Sequence, residues 1–367
     1  MDPKLENIND VGGVLEFTLN GLEMSIANAL RRTVLSDIPV VCIHSYPDSE
    51  NKVDIETNTT RFNNEIIKQR LSCIPIHIAD DEFPVDSYVV ELDETNDTDT
   101  IRVVTTGDLV IRDIVNNKYL SESEIRKVFP ANKMTGMHID IVRLKPKISN
   151  DLPGESIKLT TKLSRHSAKK NGMYNVVSTC SYGLTRDLDK IESVWNLKEK
   201  SMKRDNVPDD EITISHKNFL YLDAERIYKQ NSFDFTIETV GIYDNVDIVK
   251  RACDAMILKV NHNINLVDND ETDIGVSQST IDNAYDIKLL NENQTLGKCL
   301  EYVLHEQCFS GSKKMSFVGF RKIHPHDDFS IIRVAYHEPT DTIDIKKDII
   351  SACNDIVLTF KKIKELF

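Results

Sequence analysis

"NALRRTVLSDIP", residues 28–39, decides how the rest of the chain is read. The segment from 22 to 36 runs at helical period. At about 100° per residue, Leu22, Ile26, Ala29, Leu30 and Val34 fall within one arc, and Ser25, Asn28 and Arg32 fall opposite it. Asp37-Ile38-Pro39 ends the helix, because a residue before proline avoids the α region. Adjacent helical residues point about 100° apart, so Arg31 and Arg32 cannot serve one ligand from the same direction. Arg32 is expected to project opposite the apolar arc, and Arg31 to its flank near Met24 and Leu35. Two large cations bracketing an apolar stripe suit a helix held between two protein surfaces, with the stripe on the core and the guanidiniums on a partner. Ordinary surface arginines are the alternative that the helix alone leaves open.

The flanking sequence extends the pattern. "GVLEFTLNGL" (13–22) alternates, with Leu15, Phe17 and Leu19 on one face, and predicts a half-buried strand broken at Asn20-Gly21. "SFDFTIETVG" (232–241) alternates again. The helix predicted for 245–263 repeats Val249, Cys253, Met256 and Val260 at the spacing of a helix–helix seam. "VDNDETDIGVSQST" (267–280) is acidic and free of aromatics, and reads as a linker.

A second set of elements follows. "YDIKLL" (285–290) is a strand pattern, and "NENQTLGKCLEYVLHE" (291–306) a helix with Thr295 as the expected N-cap and Leu296, Leu300, Val303 and Leu304 on its apolar face. "FVGFRKI" (317–323) and "FSIIRVAY" (329–336) are strands. A last helix over 344–365 carries Ile345, Ile349, Ala352, Ile356, Phe360 and Ile363. The two ends share an order of elements, not a sequence. Amphipathic helices of this length need a partner, and the two seams predict that the halves bury them on each other. Between them, 47–159 reads as a mixed α/β insertion, with a strand in "MHIDIVRL" (137–144), a capped helix in "SESEIRKVF" (121–129) and a solvated acidic loop in "DETNDTDT" (93–100).

Bulk properties narrow the function. The 367 residues carry a net charge of −14, and a primary nucleic-acid binder would carry a basic face to neutralise phosphates. The seven cysteines, Cys42, Cys73, Cys180, Cys253, Cys299, Cys308 and Cys353, form no CxxC pair, so buried thiols in a reducing compartment are expected rather than disulfides or a zinc ribbon. "MDPKLENIND" (1–10) is polar and predicts no signal peptide, and no apolar run matches the roughly 20 residues of a membrane span. Phosphate-loop, nucleophile-elbow, HExxH and dinucleotide signatures are missing from the sequence. "HPH" (324–326) could pair His324 and His326 with His305 or His337 on a metal, but without a telling third spacing a turn shaped by Pro325 is the better reading. "DLDK" (187–190) and "VDND" (267–270) read as solvated loops, not as magnesium sites.

At this point the residues carry a resemblance. "SIANALRRTVLSDIP" (25–39) resembles the signature helix of the α-type assembly subunits of RNA polymerases: bacterial α, archaeal D and the third-largest subunit of eukaryotic RNA polymerase II. "IETNTTRFNNEIIKQRLSCIPI" (55–76) is similar to the family run at Thr57, Asn58, Thr59, Glu65, Arg70, Leu71, Ile74 and Pro75. "SRHSAKKN" (164–171) resembles its His-Ala-Lys segment, and 235–263 its closing strand and helix. "NQTLGKCLEYVL" (293–304) and "VGFRKIHPHDDFSIIRV" (318–334) resemble the smaller partner, the eleventh subunit (archaeal L). The departures are local. Ser72 replaces a usual glycine, Cys73 an apolar residue and Asn64 a common aspartate, and the insertion has no cysteine cluster for zinc or iron–sulfur.

The resemblance implies a fusion of two chains that are normally separate, as in polymerases of large DNA viruses. With a flexible linker such a fusion raises effective concentration to about the millimolar range. The expected fold is α+β, an internal pseudo-dimer with a shared helical core: 1–46 and 160–265 as one half, 47–159 as the insertion, 266–280 as the linker and 281–367 as the other half. Ile26, Leu30, Val34, Val249, Met256, Leu296, Leu300, Ile349 and Ile356 are the expected pairing core. Asn28, Arg31, Arg32, Arg70, Lys298 and Glu301 are the expected subunit contacts. The implied function is non-catalytic assembly of a DNA-directed RNA polymerase, with no cofactor. The implied partners are the two largest subunits and small tenth- and twelfth-like subunits, with no membrane and no primary nucleic-acid contact. The expected location is intracellular, in host cytoplasm and virion for a viral source, with the nucleus as the alternative. A nucleic-acid-binding accessory module using "GFRKIHPH" (319–326), or a hydrolase or transferase with an unrecognised site, are the rival readings.

Overall fold

The computed structural model describes residues 1–149 and 153–367. The chain opens with β1 (Lys4–Val11), β2 (Val14–Asn20), α1 (Met24–Ser36), β3 (Pro39–Ile43), β4 (Val53–Asn58) and α2 (Asn64–Ser72). Next come β5 (Tyr88–Thr95), β6 (Arg102–Thr105), β7 (Val110–Asp113), β8 (Lys118–Tyr119), α3 (Glu122–Val128), β9 (Asp140–Leu144), β10 (Ser156–Ser167) and β11 (Val177–Arg186). Then follow α4 (Leu188–Arg204), α5 (Asp209–Tyr221), β12 (Tyr228–Thr239), α6 (Asn245–Asp268), β13 (Ile274–Val276) and β14 (Ala284–Leu290). The chain ends with α7 (Gln294–Leu304), β15 (Met315–Arg321), β16 (Phe329–Tyr336) and α8 (Thr342–Glu365). The expected α+β class holds.

Two units divide the chain: Met1–Thr33, Thr179–Glu238 and Val249–Phe367 form the first, and Val34–Ser178 with Thr239–Ile248 the second. The first unit contains two four-stranded sheets of the same connectivity, β1-β2-β12-β11 and β13-β14-β16-β15. In each, a helix follows the second strand (α1, α7), and a 24-residue helix follows the strand paired to it (α6 after β12, α8 after β16). The alternation that predicted β2 appears in the register: Leu15 pairs with Ile237, Phe17 with Phe235 and Leu19 with Phe233. The Phe17 and Phe235 rings stack at 5.0 Å. All nine residues of the expected pairing core are buried, none more than 3 % exposed.

Contacts join the chain before residue 269 to the chain after it. Lys364 Nζ donates to both carboxylate oxygens of Asp254 at 2.7 and 2.8 Å, and Asn263 Nδ2 to Glu292 at 3.3 Å. The Phe367 ring stands edge-on to Phe17 at 4.9 Å.

Sequence reading missed the helical hairpin α4–α5. Ile191, Trp195, Ile212, Phe219 and Ala224 give it a small core of its own. "DLDK" opens α4 instead of forming a solvated loop: the Asp187 side chain accepts from the Lys190 N–H at 3.1 Å. The expected linker is also structured. Its first residues finish α6, and Ile274–Val276 pair with Tyr285–Ile287 as strand β13.

In the second unit, strand order β3-β10-β5-β7-β8, with β4 also on β10, makes the main sheet, and β6 pairs with β9. Here the expected boundary at 159/160 fails for a physical reason. The single 12-residue strand β10 pairs with β5 and β4 in its first part and with β3 in its second, so residues 39–43 and 160–167 belong with the insertion. The acidic stretch 93–100 is likewise not simply solvated. Asn96 is fully buried, donates to the carbonyls of Thr100 and Leu144 at 2.8 and 2.9 Å, and accepts from the Thr98 N–H at 3.0 Å.

Candidate assembly surface

Helix α1 is entered through Gly21, which has a φ of +75° and lies so close to the Asp2 carbonyl oxygen that a Cβ would stand 2.3 Å from it, so no side chain fits there. The Glu23 carboxylate accepts from the Ser25 N–H at 2.6 Å and its carbonyl from Ile26 and Ala27, which satisfies the first turn. One helical turn on, Arg31 donates through Nε and Nη2 to Asn28 Oδ1 at 3.0 and 2.9 Å. The neighbouring Cys180 thiol is pushed up to about 12 by burial, with the Arg31 charge pulling the other way. Asn28 and Arg31 are thus brought together on a half-buried flank of α1.

Arg32 behaves differently from its expected role. Its Nε donates to Thr295 Oγ1 at 2.7 Å, on helix α7. Cys299 Sγ, one turn along α7, donates back toward the Ser25 carbonyl at 3.6 Å. The side of α1 opposite the apolar arc therefore faces α7 rather than open solvent. Thr33, on the same helix, donates to Met256 Sδ of α6 at 3.9 Å.

Thr295 is free to receive Arg32 because it is not the N-cap. Asn293 is, and its side chain accepts from the Thr295 N–H at 2.9 Å. Lys298 and Glu301 form an ion pair, but neither is simply solvated. Glu301 Oε1 accepts from the Phe320 N–H of β15 at 3.1 Å, and Lys298 Nζ lies 5.8 Å from the Phe320 ring centroid. Gly297 makes this approach possible, since a Cβ there would meet the Phe320 ring at 2.0 Å. Asn293 and Phe320 are the residues sequence reasoning missed, and Thr295 was expected in the capping role that Asn293 fills. The asparagine two residues before Thr295 was the available signal for the cap.

Arg70 belongs to the second unit. Its Nε and Nη2 donate to the carbonyls of Ile141 and Asp140 at 2.8 and 2.7 Å, and its guanidinium sits 5.7 Å from the Phe62 ring centroid. It staples α2 to β9. The run 55–76 folds as β4, an asparagine-braced turn and α2. Asn58 accepts from the Thr60 N–H at 3.0 Å and donates to the Phe62 carbonyl at 2.8 Å, and Asn63 caps α2 by accepting from Ile66 N–H at 3.0 Å. The departure at Ser72 is a packing matter: the residue is buried, and its hydroxyl donates to the Lys68 carbonyl at 3.0 Å. In the "SRHSAKKN" stretch, the His166 ring lies tilted against His44 with centroids 4.3 Å apart, and burial lowers its pKa. His44 Nδ1 lies 2.9 Å from the Tyr174 hydroxyl, and its Nε2 3.2 Å from Glu50.

His324 and His326 occupy a turn closed by Asp327 N–H to the His324 carbonyl at 3.1 Å, and His324 Nδ1 accepts from the His326 N–H at 3.1 Å. Among the described residues, no group of three or more His, Cys, Asp or Glu is placed to hold a metal ion. Cys73 is exposed, against the expectation for it, while the other six cysteines are buried and none is bonded to another. No helix among the described residues is long and apolar enough to cross a membrane.

The chain is 25 % identical over 207 residues to the human protein named DNA-directed RNA polymerases I and III subunit RPAC1, covering 52 % of this chain and 56 % of that one. The chain thus spans just over half of that relative. It is 26 % identical over 268 residues to DNA-directed RNA polymerase subunit Rpo3 of Thermococcus kodakarensis, covering 68 % and 92 %. With DNA-directed RNA polymerases IV and V subunit 3B of Arabidopsis thaliana it is 24 % identical over 306 residues, covering 67 % and 88 %. Residues 16–260 match the family described as the RNA polymerase Rpb3/Rpb11 dimerisation domain, and the chain belongs to that family.

Proposed function

We propose that this chain is a non-catalytic assembly subunit of a multisubunit DNA-directed RNA polymerase, and that it carries both halves of the dimerisation platform in one polypeptide. The observation that carries this reading is the repeated connectivity of the first unit. Two sheets of the same strand order, each with its short and long helix, meet with α1 against α7. The second half, which begins beyond the residues matched to the family, plays the part of the smaller partner. The platform is an internal pseudo-dimer present once per polymerase. It docks the two largest subunits and recruits the small tenth- and twelfth-like subunits. The source is a large DNA virus, and the polymerase works inside the cell and is carried in the virion.

Within this reading Arg31 is the contact residue for a large subunit, because among the described residues its hydrogen-bonding partner is Asn28, one turn back on the same helix. Arg32, Lys298 and Glu301 act one step back, by fixing α1 and α7. Native purification through a tag on this chain, followed by mass spectrometry, tests the proposal. Two very large polymerase subunits at one copy each with one copy of this chain are expected. Two copies of this chain would mean that the halves pair between molecules. A chain that purifies alone at mild salt would overturn the assembly role, and steeply salt-dependent DNA binding by that lone chain would favour the nucleic-acid module.

A further inference from the structure

The second unit has a cavity of about 420 Å³ between α2 and β9. That is the small end of the range for ligand pockets, roughly 300–1,000 Å³, and leaves room for one or two side chains. Four cations line it, Arg61, Arg70, Arg143 and Lys145, in a chain whose net charge is −14. Among the described residues Asp140 is the one lining carboxylate and pairs with Arg143 at 3.1 Å, and Lys145 Nζ lies 3.5 Å from Glu155, so the cations there without a carboxylate are Arg61 and Arg70. Arg70 is held by two backbone carbonyls, which fix its guanidinium without neutralising it. Arg61 is exposed and has no hydrogen-bond or ion-pair partner among the described residues. The same cavity presents apolar surface: Ile101 is 61 % exposed, and Phe62 lies half-buried against Arg70.

A small free anion would use the cations and leave Ile101 and Phe62 in water. A polynucleotide would need cations spaced along a track of phosphates, whereas these four ring a single concavity. An amphipathic ligand uses both features, because guanidiniums pair with carboxylates in a planar, two-bonded geometry. We infer that the cavity docks an acidic protein segment: one large apolar side chain enters against Ile101 and Phe62, and flanking Asp or Glu residues pair with Arg61 and Arg143. This rests on the assembly reading in one respect, that the segment is supplied by another subunit of the polymerase.

The direct test uses the full chain and a fluorescein-labelled acetyl-Asp-Glu-Leu-Phe-Glu-Asp amide, read by anisotropy at low salt. Saturable binding is expected, weakened at least about tenfold by Arg61→Glu with Arg143→Glu, two exposed positions. Ile101→Asp, which adds a carboxylate without touching the arginines, should weaken it as well. Equal binding by a peptide with serines in place of Leu-Phe, equal binding by hexathymidylate, or indifference to these variants would overturn the inference. In the purified complex, photo-crosslinking from Ile101→benzoylphenylalanine should map to an acidic segment with a large apolar residue. If the large subunits co-purify but no such segment is captured, the docking site fails and the assembly reading stands. If nothing co-purifies and the peptide still binds as described, the site stands and the assembly reading fails.

Discussion

The Arg32 guanidinium and the Thr295 hydroxyl meet at 2.7 Å although 263 positions separate them in the chain. A hydrogen bond from a charged donor in a partly buried site contributes more than a neutral exposed one. Arg32→Ala and Thr295→Val should each lower the stability of the first unit, with a coupling of about 1.5 kcal/mol between them in a double-mutant cycle. Chemical denaturation of the four proteins measures it. Additive losses would mean that the two side chains do not act as a pair.

Arg31→Ala should separate folding from assembly. Among the described residues its guanidinium bonds only to Asn28, one turn back on the same helix, so the thermal midpoint should move little. Recovery of the large subunits in the tagged purification should fall by about tenfold if the guanidinium is a hot spot worth some 1.4 kcal/mol or more. Full recovery with the variant would remove Arg31 from the interface.

Gly297→Ala should destabilise the protein even though alanine is the better helix former. The propensity gain is about 1 kcal/mol, while forcing a methyl against the Phe320 ring, 2.0 Å from the Cβ position, costs roughly 1–3 kcal/mol through displaced packing. Shortening the neighbour with Phe320→Leu in the same chain should recover part of the loss. A Gly297→Ala protein as stable as the parent would show that the ring moves freely.

Acid should weaken the β14–β16 pairing through Asp286. Arg333 donates to both carboxylate oxygens of Asp286, at 2.6 and 2.8 Å, and holds this carboxyl below its usual value. A folded-state pKa below the unfolded one means stability that is fully present above the unfolded value of 3.8 and is lost as pH falls through the folded value. Asp286→Asn should therefore be less stable than the parent at pH 6, and the difference should shrink as the pH drops below about 4. A difference that stays constant over that range would assign the effect to packing.

Thiol labelling should distinguish one cysteine from six. Cys73 is exposed, whereas burial pushes the Cys42 and Cys353 thiols up to about 12 and Cys308 up to about 11. Near neutral pH an alkylating agent should modify Cys73 quickly and the others only after unfolding, since the thiolate is the reactive form. Mass spectrometry of the native protein reads this directly.

Several elements were legible in the residues: β16 begins and ends with the strand read over Phe329 to Tyr336, and Ser121 with Glu124 does form a capping box. What failed was what periodicity does not encode. Nothing local in 160–167 says that β10 is continuous with residues 156–159, because a strand pairing with two different partners reads the same as a strand pairing with one. The hairpin α4–α5 did leave a trace, Ile191 and Trp195 four apart after the capping Asp187, but its small core gives a weak signal. Among the expected contacts, Asn28 and Arg31 come together, while Arg32, Lys298, Glu301 and Arg70 are engaged by partners far along the chain. Helical angle alone cannot foresee which polar face another helix will cover.

The segment joining α6 to β14 changes what the single polypeptide means physically. A loose tether would leave the two sheets of the first unit to find each other by diffusion within a small volume. Here the Thr272 and Glu271 amides bond back to Leu266 at 3.1 and 2.9 Å, and β13 pairs directly with β14. Lys288 grips Asp273 at 2.5 Å, and Lys346 of α8 pairs with Asp270. The junction thus has a fixed shape, and most of its ordering entropy is lost together with that of the sheet it joins. An exchange of halves between two molecules would have to undo the turn that ties Glu271 and Thr272 back to Leu266, so the junction works as a latch on the arrangement and not as a leash.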